Sequence, residues 1–508
     1  MKRFLLIFAV VFALAVPEAF ADASKLIPPY HWTYHALAAL SEKKLINEKV
    51  EPGRTAFTPE QVVSMVIFAM NRIEMDTAKL GANELSSLRQ LVNGYRADFE
   101  KAGRDPAKLR EDIESFAVQA GLPAFETGGQ PSGAKKLSAA AAEAVNKFAF
   151  DIYARAAKNS GSVFLSPYSI SSALSMTFAG ARGGTAEEME RVLHISPDIH
   201  RHMAALTSEM NSVSREEAVV SIANAVWPAK QERLLPEFVQ TVRESYGAGI
   251  APLNYKASPS GAAKTINAWV SRHTEDKIKD IISPNALTKD TSLVLTNAVY
   301  FKAEWRSKFE PDASMSELFH ISDSKSVKVV MMHRTGRDVK YLRTGNAAIA
   351  ELPYKDSRFS MLIMLPDEKT ALSNFEKGLT AGKLSEWQAA MKASYVSLSV
   401  PRFRTEASYE LSDMLKEMGM PSAFNGEANF SGINGRMDMF IGGVLHKTFI
   451  EVGEEGTEAA AATAVILSKM SAPAPETPIE FRADRPFVYI IRDNASGAIL
   501  FIGRYTAQ

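Results

Sequence analysis

Residues 454–478 read EEGTEAAAATAVILSKMSAPAPETP, and their pattern bears more directly on the fold than any other stretch of the chain. It begins with a row of small residues and ends in a cluster of prolines at Pro473, Pro475 and Pro478. Composition alone favours an Ala-rich helix or a flexible linker, because alanine has the highest helix propensity. No proline lies between Glu454 and Ala472, however. The stretch can therefore also form a central strand, in which a proline would remove a ladder hydrogen bond.

As a strand, this stretch would have one face suited to burial in a sheet. The face is small at first and apolar later, and it consists of Thr457, Ala459, Ala461, Thr463, Val465 and Leu467. The opposite face begins with the charged Glu458. Fourteen residues run from Thr457 to Met470, which corresponds to about 45 Å of strand. The pattern predicts a loop that can insert into a sheet and cross it from end to end.

Downstream of residue 137, the sequence alternates between long helical patterns and short runs rich in Val, Ile, Phe and Tyr. Such runs at residues 294–301, 359–365 and 498–502 predict buried strands. The last run is expected to pair with residues 487–491 across the turn 493–497. We therefore predict one mixed α+β domain over residues 137–508.

The N-terminus predicts export. Lys2 and Arg3 precede an apolar run over residues 4–16, and Ala19-Phe20-Ala21 has the small-residue spacing of a signal-peptidase site. We expect a signal peptide at residues 1–21, cleaved before Asp22, and a secreted, periplasmic or extracellular protein. The apolar run is too short to span a bilayer comfortably.

Residues 22–123 predict a small helical module, followed by a Gly- and Pro-containing linker at 124–136. Residues 31–70 resemble a single S-layer-homology repeat, in which a Trp-bearing helix precedes an element that here reads Phe57-Thr58-Pro59-Glu60. The Thr-Arg-Ala-Glu signature of that family is absent. A plain helical spacer and an envelope-docking module both stay open. Residues 83–120 predict one or two further amphipathic helices.

The amino-acid composition, the net charge and the absence of several motifs argue against several function classes. Lys plus Arg and Asp plus Glu both total 58, so no net charge favours nucleic acid or an anionic membrane. There is no cysteine and no Gly-x-Ser-x-Gly. Ser41 and Lys44 match a Ser-x-x-Lys pair without its partner motifs, and His200 and His202 lack further metal ligands. We predict a protein that is not an enzyme and has neither cofactor nor metal.

A Gly-rich stretch at residues 180–185 lacks the Gly-Lys-Ser/Thr ending of a phosphate-binding loop. We interpret it as the end of one helix and the start of another. Thr185 and Glu188 have the spacing of a capping box for the second helix.

From about residue 147 to residue 505, the motifs resemble those of the serpins. Residues 454–460, EEGTEAA, are similar to the serpin hinge signature, and Ala461 and Ala462 extend its row of small residues. Four further blocks follow the family's order along the chain: FLSPYSI at 164–170, Asn267 with Trp269, TNAVYFK at 296–302 with Trp305, and VLHK at 444–447 followed by RPF at 485–487.

The resemblance implies a serpin fold with three β-sheets, about nine helices and an exposed reactive-centre loop. It also implies suicide inhibition of serine endopeptidases, and of cysteine endopeptidases by extension. In this mechanism, an acyl-enzyme forms on the loop, and the cleaved strand then inserts into the main sheet. The hinge residues that the resemblance implies are Glu454, Gly456, Thr457, Glu458, Ala459, Ala460, Ala461 and Ala462.

The resemblance implies the reactive bond as well. Seventeen residues counted from Glu454 in the family's register reach Met470-Ser471, a site for elastase-, chymotrypsin- or subtilisin-like proteases. Lys469 is the alternative, and it would direct the loop to trypsin-like proteases. A count backward from Phe481 disagrees with this register, but insertion length favours the count from the hinge.

Ser166, Ser169, Asn297 and His446 match the positions at which serpins gather polar side chains under the main sheet, a region called the shutter. We hypothesise that protonation of His446 disturbs this region. Two rival functions stay open: a non-inhibitory serpin with a carrier or chaperone role, and an envelope-binding protein that uses residues 22–123.

Overall fold

The structure is a computed structural model of the chain. It describes residues 27, 32–50, 56–75, 80–120, 132–158, 161–211, 218–283, 286–355, 357–457 and 477–507. The signal peptide predicted at residues 1–21 lies outside these ranges, as does the loop at residues 458–476.

The described α-helices fall into two groups. Five precede residue 120, namely α1 (Trp32–Glu42), α2 (Pro59–Met75), α3 (Ala82–Gly94), α4 (Arg96–Lys101) and α5 (Pro106–Gln119). Ten follow, namely α6 (Ser132–Ala156), α7 (Pro167–Phe178), α8 (Gly183–Leu193), α9 (Ile199–Asn211), α10 (Pro236–Tyr246), α11 (Pro259–His273), α12 (Leu372–Glu376), α13 (Ala381–Ala390), α14 (Ser412–Met418) and α15 (Ser431–Asn434).

All of the described strands belong to the larger domain. They are β1 (Val163–Leu165), β2 (Ala218–Pro228), β3 (Gly249–Ile250), β4 (Leu293–Glu304), β5 (Met315–Ser322), β6 (Lys325–Arg343), β7 (Ala347–Pro353), β8 (Phe359–Pro366), β9 (Lys392–Pro401), β10 (Phe403–Glu410), β11 (Leu445–Val452), β12 (Gly456–Thr457), β13 (Ile479–Arg482), β14 (Phe487–Asp493) and β15 (Ile499–Tyr505).

Hydrogen bonding joins these strands into two sheets. One has six strands in the order β10-β11-β12-β4-β2-β3. The other has nine strands in the order β1-β15-β14-β8-β7-β6-β9-β13, with β5 paired to β6. The long β6 is shared by two halves of the nine-stranded sheet, because it pairs with β7 at its C-terminal end and with β5 at its N-terminal end. If the halves are counted separately, the molecule has the three sheet regions and the mixed α+β class that we predicted.

The core of the larger domain lies between the two sheets. Helix α7 contacts β4 of the six-stranded sheet and β15 of the nine-stranded sheet. Every residue of α7 except Ala173 is buried. Its N-terminus is well defined, because Pro167 occupies the first turn and the hydroxyl of the N-cap residue Ser166 accepts a hydrogen bond from Ser169 N at 3.3 Å. This helix end brings polar groups under the six-stranded sheet.

The helical module has a hydrophobic core of its own, separate from that of the larger domain. Helices α1 and α2 confirm the two predicted helices. Thr58 and Gln61 cap α2 reciprocally, since Thr58 N donates to Gln61 Oε1 at 2.8 Å and Gln61 N to Thr58 Oγ1 at 3.4 Å. Residues 83–120 form three helices, α3 to α5, rather than one or two. The envelope-docking role of the module stays a prediction.

The terminal hairpin is confirmed, because β14 and β15 pair antiparallel from Phe487↔Tyr505 to Arg492↔Ile499. The predicted strands at 294–301 and 359–365 correspond to β4 and β8. Helix α6 begins at Ser132, five residues before the predicted domain start, and the boundaries 22–123, 124–136 and 137–508 stay predictions.

The predicted capping box at Thr185 and Glu188 is wrong. Helix α8 begins at Gly183 with Arg182 as the N-cap residue. The two side chains bind a neighbouring segment instead: Thr185 Oγ1 accepts from Asn429 N at 3.0 Å, and Glu188 accepts from the Ser422 hydroxyl at 2.7 Å. These tertiary contacts take the place of the local cap.

Candidate functional site

The predicted hinge begins as a tight turn at the top of the six-stranded sheet. Gly453 N donates to Gly456 O at 2.9 Å, and Gly456 N donates back to Gly453 O at 3.3 Å. The chain then enters the sheet as β12, where Gly456 pairs with Glu304 and Thr457 with Ala303 of β4. On its other side, Thr457 pairs with Val452 of β11. Both pairings are antiparallel.

Gly456 is required by the geometry of this turn. Its φ of +152° lies in a region that residues with side chains rarely adopt, and a Cβ atom added there would stand 2.2 Å from Ala303 O. The close backbone approach to β4 therefore depends on glycine.

Thr457 is the first residue of the chain segment to be buried between two strands. Only 1% of its surface is exposed, and its hydroxyl lies 2.7 Å from the Tyr354 hydroxyl. Tyr354 is itself fully buried and stacks on the Trp305 ring at 4.5 Å. Burial raises the pKa of Tyr354 well above its ordinary value, so its hydroxyl stays protonated as a hydrogen-bonding partner. Thr457 is thus already buried in the sheet, and its role as the first residue of an inserting strand stays a prediction.

Glu454 holds the start of the turn against the residue that precedes β5 and the residue that follows β9. Its carboxylate accepts hydrogen bonds from Ser314 at 2.7 Å and from Arg402 Nε at 3.0 Å. Burial raises the pKa of this carboxyl, but the hydrogen bonds from Arg402 and Ser314 outweigh burial and hold the pKa below its ordinary value. Glu454 is therefore ionised across the neutral range.

Backbone and indole N–H groups fix the same turn from the β4 side. Trp305 N donates to Glu455 O at 2.9 Å, Phe309 N donates to Glu454 O at 2.9 Å, and Trp305 Nε1 donates to Gly453 O at 2.9 Å. The Glu455 carboxylate also pairs with Lys308. The turn is thus attached to the sheet at four successive residues, from Gly453 to Gly456.

The four predicted shutter residues lie together under the six-stranded sheet. Ser169 donates to Asn297 Oδ1, and Asn297 Nδ2 donates to Asn224 Oδ1 at 2.5 Å. The chain of hydrogen bonds ends where Asn224 Nδ2 meets Tyr246 O at 2.7 Å. It links α7 to β4 and β2, and then to the end of α10.

His446 of β11 completes this cluster from the opposite strand. Its Nε2 accepts a hydrogen bond from Ser166 N at 3.0 Å, and the Ser166 hydroxyl donates to Leu500 O at 2.8 Å. Burial lowers the pKa of His446 to about 3, so the ring is neutral at physiological pH. The shutter side chains therefore reach both β4 and β11, the two strands on either side of β12.

The arrangement of these strands suits the entry of a further strand. Among the described strands, β11 and β4 are joined only through the two residues of β12, and no residue register connects them directly. A strand that continued β12 would pair with both. The remaining predicted hinge residues Glu458, Ala459, Ala460, Ala461 and Ala462, and the reactive-bond residues Lys469, Met470 and Ser471, lie outside the described residues.

Sequence reasoning missed three residues of this site. Asn224 extends the hydrogen-bond chain from Asn297, Tyr354 contacts Thr457, and Arg402 contacts Glu454. Each partner lies more than fifty residues away along the sequence, so no local spacing signals the contact. Asn267 has a structural role, since it bonds both N and O of Ile282 at 2.9 and 2.7 Å.

The part of the chain that the structure describes contains no group of three or more His, Asp or Glu side chains positioned to hold a metal ion. None of its helices is long and apolar enough to cross a membrane.

Comparison with known proteins bears on the larger domain. The profile of the family described as Serpin (serine protease inhibitor) matches residues 143–507. An uncharacterized serpin-like protein of Thermococcus kodakarensis is 42% identical over 71% of this chain and 84% of its own length. The leukocyte elastase inhibitor of Homo sapiens is 37% identical over 71% of this chain and 97% of its own length.

Solved structures give the same result. Native tengpin, a thermophilic serpin, superposes with a TM-score of 0.66 at 28% identity and covers 72% of this chain and 94% of its own. Uncleaved ovalbumin superposes with a TM-score of 0.65 at 28% identity and covers 72% of this chain and 99% of its own. These matches show that the chain belongs to the serpin family.

Proposed function

We propose that this chain, a member of a family of protease inhibitors, is a secreted suicide inhibitor of serine endopeptidases and is not an enzyme. The observation that carries the proposal is the position of β12, which already pairs with β4 and β11. The loop between residues 457 and 477 would be the bait, with the reactive bond at Met470-Ser471 and Lys469-Met470 as the alternative.

In the proposed reaction, the serine of the protease attacks the carbonyl carbon of Met470, and the amine of Ser471 leaves with a proton from the protease's general acid. Met470 is then esterified to the protease. The freed strand inserts between β4 and β11 and carries the protease with it, and the acyl-enzyme is distorted before water can hydrolyse it.

Extended beyond Thr457, the register of β12 gives the proposed positions of the inserted residues. Thr457 pairs with Ala303 and Val452. Continuing the antiparallel register by six residues would bring Thr463 opposite Asn297 of β4 and His446 of β11. Continuing by ten would bring Leu467 opposite Leu293, the first residue of β4. Met470 would then lie beyond the end of the strand, about 43 Å from Thr457.

The composition of the loop supports trapping over a carrier or chaperone role. Non-inhibitory serpins usually have bulky or charged hinge residues, whereas the face predicted to turn inward here begins with the small residues Thr457, Ala459 and Ala461, and the charged Glu458 is on the opposite face of the predicted strand. The leukocyte elastase inhibitor among the relatives supports an elastase-like target for a loop with Met470, and subtilisin- and chymotrypsin-like proteases fit the same side chain. Cysteine endopeptidases form a comparable thioester and are included in the proposal.

The proposal is tested by incubating the protein with elastase, chymotrypsin, subtilisin and trypsin. We expect an SDS-resistant complex with at least one of them, and a released C-terminal peptide that begins at Ser471. A peptide that begins at Met470 would assign the cut to Lys469-Met470. Cleavage within the loop without any stable complex would refute inhibition and favour a non-inhibitory role.

Export rests on the sequence of residues 1–21. Recovery of a mature protein that begins at Asp22 outside the cytoplasm would support it, and an intact Met1 on the functional protein would refute it.

A second proposal concerns residues 22–123. The separate core of the module supports an autonomous unit, which could attach the inhibitor to the cell envelope. Binding of the fragment 22–121 to purified cell-wall material would support attachment, and equal recovery with and without the wall material would refute it.

A further inference from the structure

Three exposed apolar side chains lie within nine residues of one another, in the segment that leads into β11 and at its first residue. Met437 is 65% exposed, Phe440 57% and Leu445 38%. They are three of the nine large hydrophobic side chains that are exposed in the part of the chain that the structure describes. Exposed apolar clusters mark interaction sites on soluble proteins. These three residues are termed the apolar rim.

The apolar rim lies at the end of the six-stranded sheet that is opposite to the hinge turn. Strands β4 and β11 both begin at this end, whereas β12 pairs with the last residues of both. Leu411 N, next to the end of β10, donates to Val444 O at 2.8 Å. Arg436 donates to Glu232, four residues after the end of β2, at 2.9 Å. Because β10 and β2 lie on opposite sides of the gap between β11 and β4, the segment is attached on both sides of the place where an inserted strand would end.

The charged groups beside the apolar rim already have partners. Arg436 pairs with both Glu232 and Asp438. The Glu410 carboxylate accepts a hydrogen bond from Val444 N at 3.2 Å. A partner that docks here would therefore gain free energy from the burial of apolar surface rather than from new ion pairs.

The register of the proposed insertion brings a trapped protease to this end of the sheet. Leu467 would lie opposite Leu293, and Met470, which carries the protease, would lie three residues further, about 10 Å beyond the start of β4. A protease domain of about 250 residues has a radius of roughly 23 Å. Neighbouring strands are about 4.8 Å apart. A body of that size would extend over the ends of β11 and β10 on one side and of β4 and β2 on the other.

We propose that the apolar rim contacts the trapped protease after the loop has inserted, and that it stabilises the distorted form of the protease. The inference rests on the proposed inhibitory function. A distorted protein exposes apolar side chains that its native fold buries, so an apolar surface binds it more strongly than it binds the intact protease.

This contact would act on the hydrolysis of the ester. Water attacks the Met470 carbonyl carbon, the protease serine leaves as a hydroxyl, and Met470 is left as a carboxylate, but this step needs the protease's catalytic groups in place. By favouring the distorted form, the apolar rim lengthens the life of the complex. It leaves the rate at which the complex forms unchanged, since the contact arises only after insertion.

The test compares the double variant Met437→Ser/Phe440→Ser with Met315→Ser/Leu318→Ser. The control pair is similarly exposed, at 55% and 51%, but it lies on β5, directly after the residue that binds the hinge turn. The measurement is the half-life of the covalent complex, followed by the return of protease activity and by the loss of the SDS-resistant band. The protease is whichever of the four forms the longest-lived complex with the wild-type protein.

We expect Met437→Ser/Phe440→Ser to shorten the half-life about three- to tenfold, because an apolar contact with the distorted protease is lost. Met437→Leu/Phe440→Leu should keep the wild-type half-life, since both replacements are apolar. Met315→Ser/Leu318→Ser should stay within about twofold of wild type. The second-order rate constant and the stoichiometry of inhibition should not change in either rim variant, and circular dichroism checks that all the variants fold.

Equal half-lives for the two serine double variants would overturn the proposal, as would an equally short half-life in Met437→Leu/Phe440→Leu. The rival occupant is a second copy of this chain. A wild-type protein that is dimeric by light scattering, and monomeric as Met437→Ser/Phe440→Ser, would assign the apolar rim to self-association instead. The failure of the inhibitory function itself has a different signature: the wild-type protein would then form no SDS-resistant complex with any of the four proteases.

Discussion

Thr457 shows how much of the proposed mechanism depends on the size of one side chain. It is buried between β4 and β11 with its hydroxyl on Tyr354, and in the proposed mechanism the loop would insert from this position onward. A large or charged replacement would have to leave the sheet, because burying an unpaired charge costs several kcal/mol.

We predict that Thr457→Arg turns the inhibitor into a substrate. The variant should be cleaved at the same bond but leave the protease active, with an SDS-resistant complex reduced at least tenfold on gels. Thr457→Ser keeps the small size and the hydroxyl and serves as the control, with wild-type yield expected. Stable complexes formed by Thr457→Arg at wild-type yield would contradict the assignment of the hinge.

The pKa of His446 makes the native fold sensitive to acid. Because the pKa falls from 6.5 to about 3 on burial, the native protein does not take up this proton at pH 5.5, whereas an opened or unfolded state does. The contribution of His446 to the free energy of unfolding is therefore fully present above about pH 6.5 and falls as the pH drops from about 6.5 towards 3. From pH 8 to pH 5.5, the loss from this group is about 1.4 kcal/mol. The hypothesis that protonation disturbs the shutter thus applies to the opened state.

We predict that His446→Gln removes this part of the pH dependence, since the Gln oxygen can accept the same hydrogen bond from Ser166 N. The free energy of unfolding is measured at pH 8 and pH 5.5 for both proteins. His200, whose pKa burial lowers to about 4, is unchanged in the variant and cancels in the comparison. A wild-type loss no larger than that of the variant would rule out His446 as the cause.

At the scale of secondary-structure elements, β12 sets the register of the proposed insertion. Its two residue pairs imply that Thr463 meets Asn297 and His446 once the loop has entered the sheet. Thr463 is the only polar residue after Thr457 on the face predicted to turn inward. The shutter would gain a hydroxyl partner only in the inserted form.

We predict that Thr463→Val stabilises the cleaved form less than the wild-type residue does, by about 1 to 2 kcal/mol, because a buried hydrogen bond is not made. The intact proteins should be equally stable. The thermal midpoints of intact and cleaved protein give the comparison, and Thr463→Ser should behave as wild type. An unchanged gain on cleavage in Thr463→Val would show that the register is different.

The elements differ in how far the sequence predicts them. The hairpin of β14 and β15 is predictable, because two apolar runs flank a short turn with Gly497. The hinge is predictable from its motif and from the absence of proline. The sharing of β6 between two half-sheets is not, because a strand of nineteen residues changes partners through long-range pairing. The contacts of Glu454 and Thr457 with Arg402 and Tyr354 escape prediction for the same reason.

At the scale of the whole molecule, the helical module and the larger domain have separate hydrophobic cores. The human leukocyte elastase inhibitor is matched over 97% of its length by 71% of this chain, so a relative exists without a counterpart of the helical module. The larger domain should therefore fold and act by itself, although α3 of the module contacts α9.

We predict that a protein beginning at Ser132 forms protease complexes with the same stoichiometry as the full chain, and with a rate constant within about twofold, since the predicted hinge and shutter residues all lie in the larger domain. Circular dichroism checks folding, and complex formation on SDS gels checks function. Loss of trapping in a folded truncated protein would show that the module takes part in inhibition.

The two residues of β12 also bear on the rate at which the cleaved loop would insert into the sheet. Strand addition has a slow step, in which the first pairs form at the cost of closing a loop, and a fast step of extension along an existing edge. Here the first pairs already exist in the uncleaved protein, so cleavage would start extension from a preformed nucleus. The outcome of each encounter would then depend on two rates. One is the rate of strand extension past Asn297 and His446, and the other is the rate of hydrolysis of the acyl bond. A shutter that parts quickly would favour the inhibitor, and the fraction of protease lost per cut would measure how quickly it parts.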